Sequence, residues 1–272
     1  MLTLSHISKT FNPGTVNEKK AITDLSLHLE PGDFVTIIGS NGAGKSTLMK
    51  LMVGLLRPQK GTVSLLGEPI GEKKAEDLSR QISLVYQNPE EMFIKDSIHA
   101  DIAYAMQVRG VPHWEERTQA LLERFRLMEL QNRDGRLMSG GQMRRASLAI
   151  GVALEPGILL LDEPTANLDI ATRREILGVL EDMKDIIRTA VIATHDMQLV
   201  CQWAERIIVL RGGQVVADGS RDEIFSRSDL AALVGIRPPE IFTMARTLDQ
   251  NALCYTIDDF TDRFEEASPW NT

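Results

Sequence analysis

The sequence predicts an α/β fold, a mostly parallel sheet flanked by helices, and three observations carry that prediction. Short apolar, β-branched runs alternate with stretches of helical periodicity through most of the chain, which is the pattern of strand–helix–strand units. The chemically distinctive residues fall at the C-terminal ends of those runs, where parallel sheets place their sites. A glycine-rich loop joins one run directly to a helical pattern.

In chain order, Leu2, Leu4 and Ile7 alternate with polar residues and read as a strand; Phe11-Asn12-Pro13-Gly14 is a turn. Residues 21–29 form a second alternating strand that stops at Pro31-Gly32-Asp33, and residues 33–38 a third, buried one. Residues 62–66 close at Gly67-Glu68, and residues 80–86 read as a strand running into Gln87-Asn88-Pro89. From Ile98 to about Leu130 the pattern turns helical, with Ile102, Ala105, Met106, Leu121, Leu122 and Phe125 on apolar stripes. Strand 158–162, a helix from about 171 to 183, strand 189–194, a helix to Ala204, and strands 206–210 and 214–218 follow. Residues 1–220 thus form one unit. Residues 221–272 read as a separate C-terminal extension with dimerisation as its candidate role, punctuated by Arg237-Pro238-Pro239 and ending acidic at Asp258, Asp259, Asp262, Glu265 and Glu266. No internal repeat or low-complexity tract occurs.

Composition bounds the function. Of 272 residues, 43% are hydrophobic and 25% charged, which suits a globular chain with a sizeable core. A net charge of −8 argues against nucleic acid as a partner and against direct insertion into lipid. Cys201 and Cys254 have no metal-ligand spacing and fit buried or indifferent thiols in a reducing compartment. No charged-then-apolar leader opens the chain, and the best apolar run, residues 147–161, is cut by Glu155-Pro156-Gly157. A soluble protein is expected, with any membrane role exercised through partners.

The loop Gly39-Ser40-Asn41-Gly42-Ala43-Gly44-Lys45-Ser46-Thr47 fits G-x-x-x-x-G-K-[ST], a phosphate cradle between a strand and a helix. Glycines let the main chain approach phosphates, and the helix N-terminus offers unpaired N–H groups and a positive dipole end. Lys45 is expected on the β- and γ-phosphates and the Ser46 hydroxyl on Mg²⁺. The ligand is a nucleoside triphosphate, and the fold class is accordingly that of a P-loop NTPase.

Further along stand Met138-Ser139-Gly140-Gly141-Gln142 before a helical run, then the apolar strand Ile158-Leu159-Leu160-Leu161 delivering Asp162-Glu163. In this order and spacing the residues resemble the ATP-binding cassette family over roughly residues 2–220, Met138 standing where the family usually has Leu. The resemblance implies an antiparallel β subdomain and a helical subdomain inserted at about residues 88–137. It implies ATP and Mg²⁺ as cofactors, Mg²⁺ on Ser46, Gln87 and Asp162, a water polarised by Glu163, and His195 hydrogen-bonded to the γ-phosphate. It implies further that Phe11 stacks on adenine. Ser139, Gly140, Gly141 and Gln142 would grip the nucleotide of a second cassette, identical or paralogous. Ala166-Asn167-Leu168-Asp169 matches the loop that crosses between cassettes, although Asn167 replaces a small residue. Arg144-Arg145 reads as a solvated helix face.

The same resemblance implies transmembrane permease subunits as partners and a place on the cytoplasmic face of the membrane. Asn88-Pro89-Glu90-Glu91-Met92-Phe93 and Arg237-Pro238-Pro239-Glu240 are similar to energy-coupling-factor importer ATPases, which serve vitamin and transition-metal uptake. Residues 7–19 resemble cassettes of amino-acid importers instead. The first hint is favoured because Met92-Phe93-Ile94 lies beside Gln87, where Met92, Phe93 and Ile94 are expected to form an apolar docking surface for the permease. A soluble cassette of repair or translation is disfavoured by the absence of heptads and of a second cassette, and a kinase leaves residues 139–142 unexplained.

Overall fold

The computed structural model describes residues 1–227, 229–230 and 238–265; Arg237 and Glu266 lie outside the described residues. Two sheets organise it. Strands β1 (Leu2–Phe11), β2 (Lys19–Leu29), β4 (Lys60–Leu65) and β5 (Glu68–Pro69) form an antiparallel sheet in the order β2-β1-β4-β5. The second sheet contains β3 (Phe34–Ile38), β6 (Ile82–Val85), β7 (Ile158–Asp162), β8 (Ala190–Thr194), β9 (Arg206–Arg211) and β10 (Gln214–Ser220). Its order is β10-β9-β3-β8-β7-β6, parallel throughout except for β10 against β9. Every residue of β7 and of β8 is buried, as expected of strands covered on both faces.

The cover is α1 (Lys45–Met52), α2 (Ala75–Gln81), α3 (Ile98–Val108), α4 (Trp114–Arg124), α5 (Gly140–Val152), α6 (Ile170–Met183) and α7 (Met197–Trp203). Helix α1 is packed between the two sheets, with Leu48, Met49, Leu51 and Met52 joining Leu4, Leu27, Ile37 and Ile208 in one core. A second core joins α3, α4, α5 and α6 to the other face of the parallel sheet through Ile102, Leu122, Phe125, Leu148, Leu159 and Ile192. Helices α8 (Arg221–Ser226) and α9 (Glu240–Leu248) follow Ser220 and precede α10 (Ile257–Glu265). They carry Ile224, Phe225 and Phe242 into a third core with Ile207, Val209 and Val200, so the extension packs its apolar side chains on β9 and α7. Among the described residues no helix is long and apolar enough to cross a membrane.

Three sequence expectations need correction. Arg80 and Gln81 belong to α2 rather than to the strand that follows; the strand begins at Ile82, where pairing with Ile158 of β7 starts. Short-range alternation could not separate the two, because Leu78, Ile82 and Leu84 are buried on either side of the junction. Phe93 is no docking residue. It is 5% exposed, packed on Gly135 in the core of the helical region, and leaves only Ile94 (61% exposed) standing clear. Removing such a ring costs about 3–5 kcal/mol. The pair Arg144-Arg145 is not a solvated face either: Arg144 is 2% exposed, and Arg145 is largely covered and 3.8 Å from Glu175.

Candidate active site

The C-terminal ends of β3, β6, β7 and β8 converge on a cleft of about 870 Å³. Asn41, Gly42, Ala43, Gly44, Lys45, Ser46 and Thr47 form one wall, and Gln87, Glu163, Asn167 and His195 the other. Gly39 and Ser40 sit just outside that lining, between β3 and the loop, with Ser40 accepting from the Ala43 amide at 3.0 Å. The loop can turn into α1 because Gly44 takes the left-handed conformation, φ 110°, and a Cβ there would lie 2.5 Å from the Ala21 carbonyl oxygen. No side chain caps this helix, so the first-turn amides are left for a ligand.

Lys45 and Glu163 meet across the cleft. Lys45 Nζ lies 3.3 Å from Glu163 Oε1 and donates to the Gly39 carbonyl at 2.8 Å, and both side chains are more than nine-tenths buried. The other carboxylate oxygen accepts from Thr194 Oγ1 at 3.1 Å, from the His195 amide at 3.3 Å and from His195 Nδ1 at 2.9 Å. An ionised carboxylate only accepts, so His195 donates from Nδ1 and keeps Nε2 for another partner. Glu163 reaches this position with φ 48°, a left-handed backbone that a glutamate seldom adopts. Backbone outliers of this kind concentrate at functional sites.

Asp162, at the end of β7, is buried beneath the loop. Burial raises its carboxyl above the usual range, opposed by a hydrogen bond with Ser46 and by the charge of Lys45, while Glu163 beside it pushes the same way as burial. Its Oδ1 is buried with no hydrogen-bond partner among the described residues, a strong acceptor in need of a cation or a donor. That fits Mg²⁺, which takes one or two carboxylates together with phosphate oxygens and water. Among the described residues no group of three or more His, Cys, Asp or Glu could hold a metal without such help.

Several neighbours escaped sequence reasoning. Lys19, Thr165, Arg173 and Asp196 also line the cleft. Asp196 caps α7 by accepting from the Gln198 and Leu199 amides and takes the Thr165 hydroxyl at 2.9 Å, with Arg173 Nε 3.6 Å away. An Asp directly before a helical run was a readable cap signal, whereas Lys19 and Arg173 arrive through tertiary packing alone. Phe11 does not line the cleft; it ends β1 opposite Lys19, which does. Ser139, Gly140, Gly141 and Gln142 are not brought to it either, and Ser139 and Gly140 are exposed elsewhere on the surface.

Arg144, expected on a solvated face, is instead tied to the backbone beside the cleft. From α5 it donates to the Tyr86 carbonyl at 2.9 Å and to the Gln87 carbonyl at 2.7 Å. Burial lowers its pKa to about 10 against an opposing pull from Asp162, which leaves it charged at neutral pH.

Comparison with known proteins decides the family. A sequence model described as ABC transporter matches residues 22–166. This chain belongs to the ABC transporter family. It is an ATP-binding cassette and an ATPase. The energy-coupling factor transporter ATP-binding protein EcfA1 of Enterococcus faecalis is 36% identical over 232 residues, 84% of this chain and 83% of that protein. The protein of the same name from Lacticaseibacillus paracasei is 34% identical over 261 residues, covering 95% and 92%. Among solved structures, cbiO1 from Clostridium perfringens, part of the ABC transporter complex cbiONQ, aligns with a TM-score of 0.73 at 28% identity over 88% of this chain and 96% of its own. A dimeric ATP-binding cassette in a post-hydrolysis state, bound to ADP and Pi, aligns with a TM-score of 0.71 at 26% identity, covering 81% and 98%.

Proposed function

We propose that this chain is the ATP-hydrolysing subunit of an importer of the energy-coupling-factor kind, driving uptake of a vitamin or metal ion through separate membrane subunits. The names of the EcfA1 relatives and the cbiO1 neighbour support that class over the amino-acid importers suggested by residues 7–19. The dimeric cassette among the structural neighbours supports a second cassette, identical or paralogous, as its partner. Its place is the cytoplasmic face of the membrane, held there by the membrane subunits.

The observation that carries the catalytic reading is Glu163, gripped by Lys45 on one oxygen and by Thr194 and His195 on the other. In this reading the phosphate loop binds the triphosphate, Lys45 exchanges part of its present contact for the β- and γ-phosphates, and His195 Nε2 donates to the γ-phosphate when protonated. Glu163 orients a water in line with the γ-phosphorus and accepts a proton from it; the new P–O bond forms as the bond to the bridging oxygen breaks, giving ADP and phosphate. Mg²⁺, held by Ser46, Asp162 and Gln87, would neutralise charge on the phosphates. Asp162 Oδ1 supports that assignment.

The test is Glu163→Gln, which keeps the size of the side chain and one accepting oxygen but loses the charge that polarises water. Steady-state phosphate release should fall about 10²–10⁴-fold, the range for loss of a general base, with ATP still bound. Hydrolysis by the purified variant at the parent rate would remove Glu163 from the role.

A further inference from the structure

Among the described residues strand β6 is the edge of the parallel sheet: its one sheet neighbour is β7, and pairing stops at Val85 with Leu161. The carbonyls of Tyr86 and Gln87 therefore leave the sheet without a strand to receive them, at part-buried positions where a protein donor can take the place of water. The partner is a single side chain. Arg144 supplies Nη1 to one carbonyl and Nη2 to the next, spanning 57–58 residues of sequence from a position 2% exposed. A buried charge is costly to desolvate, and a neutral amide donor would suffice for one carbonyl, so the fork of two parallel N–H groups is what an arginine adds here.

Arg144 sits in the second turn of α5, whose N-cap is Ser139. Seven residues later on the same face, Gly151 lies against β6 so closely that a Cβ there would be 2.4 Å from Val85 Cγ2. The helix is thus fixed to the strand at two points, by direct contact at Gly151 and by the guanidinium at Arg144. Beyond the second point the strand runs into Gln87, whose exposed side chain lines the cleft.

We propose that Arg144 is a positioning residue: it ties the N-terminal half of α5 to the exit of β6, so that Ser139 at one end and Gln87 in the cleft move as one piece. The inference rests on the reading of Gln87 as a nucleotide-side residue. Arg144 is not among the residues that line the cleft; it acts through the backbone of Gln87.

A double-mutant cycle on ATP turnover tests it, with Arg144→Met as the variant that keeps length and apolar bulk but loses both donors. Turnover at saturating ATP should drop about tenfold, within the range of coupling between residues in direct contact, while ATP affinity stays within about twofold. Gln87→Ala should lower turnover by itself, and adding Arg144→Met to it should cost nothing more, since the route through Gln87 is already gone. Arg144→Lys, which keeps the charge and reaches one carbonyl, should fold as the parent does and lose about threefold, again only when Gln87 is present. Additive losses in the double variants, or parent-like turnover in Arg144→Lys, would overturn the proposal while leaving Gln87 in place. Parent-like turnover in Gln87→Ala would overturn both.

Discussion

Two helices in this cassette begin at glycine-rich segments that the sequence marks as phosphate sites, yet their first turns are built in opposite ways. Helix α1 opens on a left-handed Gly44 with no side-chain cap, its free amides facing the cleft. Helix α5 opens on Ser139 in a closed capping box: Ser139 Oγ accepts from the Gln142 amide at 3.4 Å, and Gln142 Oε1 accepts from the Ser139 amide at 3.1 Å. The first end is incomplete without a ligand, whereas the second satisfies itself. The difference bears on the proposed roles of the two ends. In that reading an uncapped turn at the end of β3 serves a nucleotide of its own chain, and a self-capped, exposed turn waits in water until a partner's phosphate displaces the cap.

The largest test of that contrast is Lys45→Ala. Loss of a charge-assisted contact is worth about 1.5–3 kcal/mol, so ATP affinity of the single chain should weaken roughly 10–100-fold by equilibrium titration. Glu163 would also lose its buried cation, which adds a fall in thermal stability. Unchanged affinity would show that the open turn does not need its lysine. Next in size is Ser139→Ala. It removes an N-cap worth about 1 kcal/mol, lowering the melting temperature by a few degrees, while ATP affinity of the single chain stays as it was. A drop in that affinity would place Ser139 on its own chain's nucleotide and erase the distinction between the two helix ends.

How legible this was follows the same physics. The phosphate loop, Asp162-Glu163 and His195 could be read because strand ends announce themselves through apolar runs that stop at polar residues, and the structure gathers Lys45, Glu163 and His195 within hydrogen-bonding reach. Arg144 could not. A charge within a helical run reads as solvent-facing, and only the edge position of β6, a property of the strand order, creates carbonyls for it to satisfy. Phe93 misled for the converse reason: an apolar residue beside a functional loop looks like a docking site until Gly135, more than 40 residues on, is seen to pack against its ring. Helix α2 was lost because its seven residues hold one buried position, Leu78, too few for a periodic signal.

The smallest expected effect is the sharpest for the capping box itself. In Gln142→Ala the amide of Ser139 loses its internal acceptor, but that amide is exposed and water can replace the lost bond. The stability cost should therefore be only a few tenths of a kcal/mol, less than for Ser139→Ala, where the cap itself is lost. Ser139 Oγ would still cap the helix, yet half of the reciprocal lock holding it would be gone, easing its release toward a phosphate brought by a second cassette. In the assembled pair ATP-driven closure should then be no harder than in the parent, measured by crosslinking across the interface at graded ATP. Closure that demands several-fold more ATP would mean that Gln142 contributes to the phosphate grip directly and that the box is not a self-contained cap.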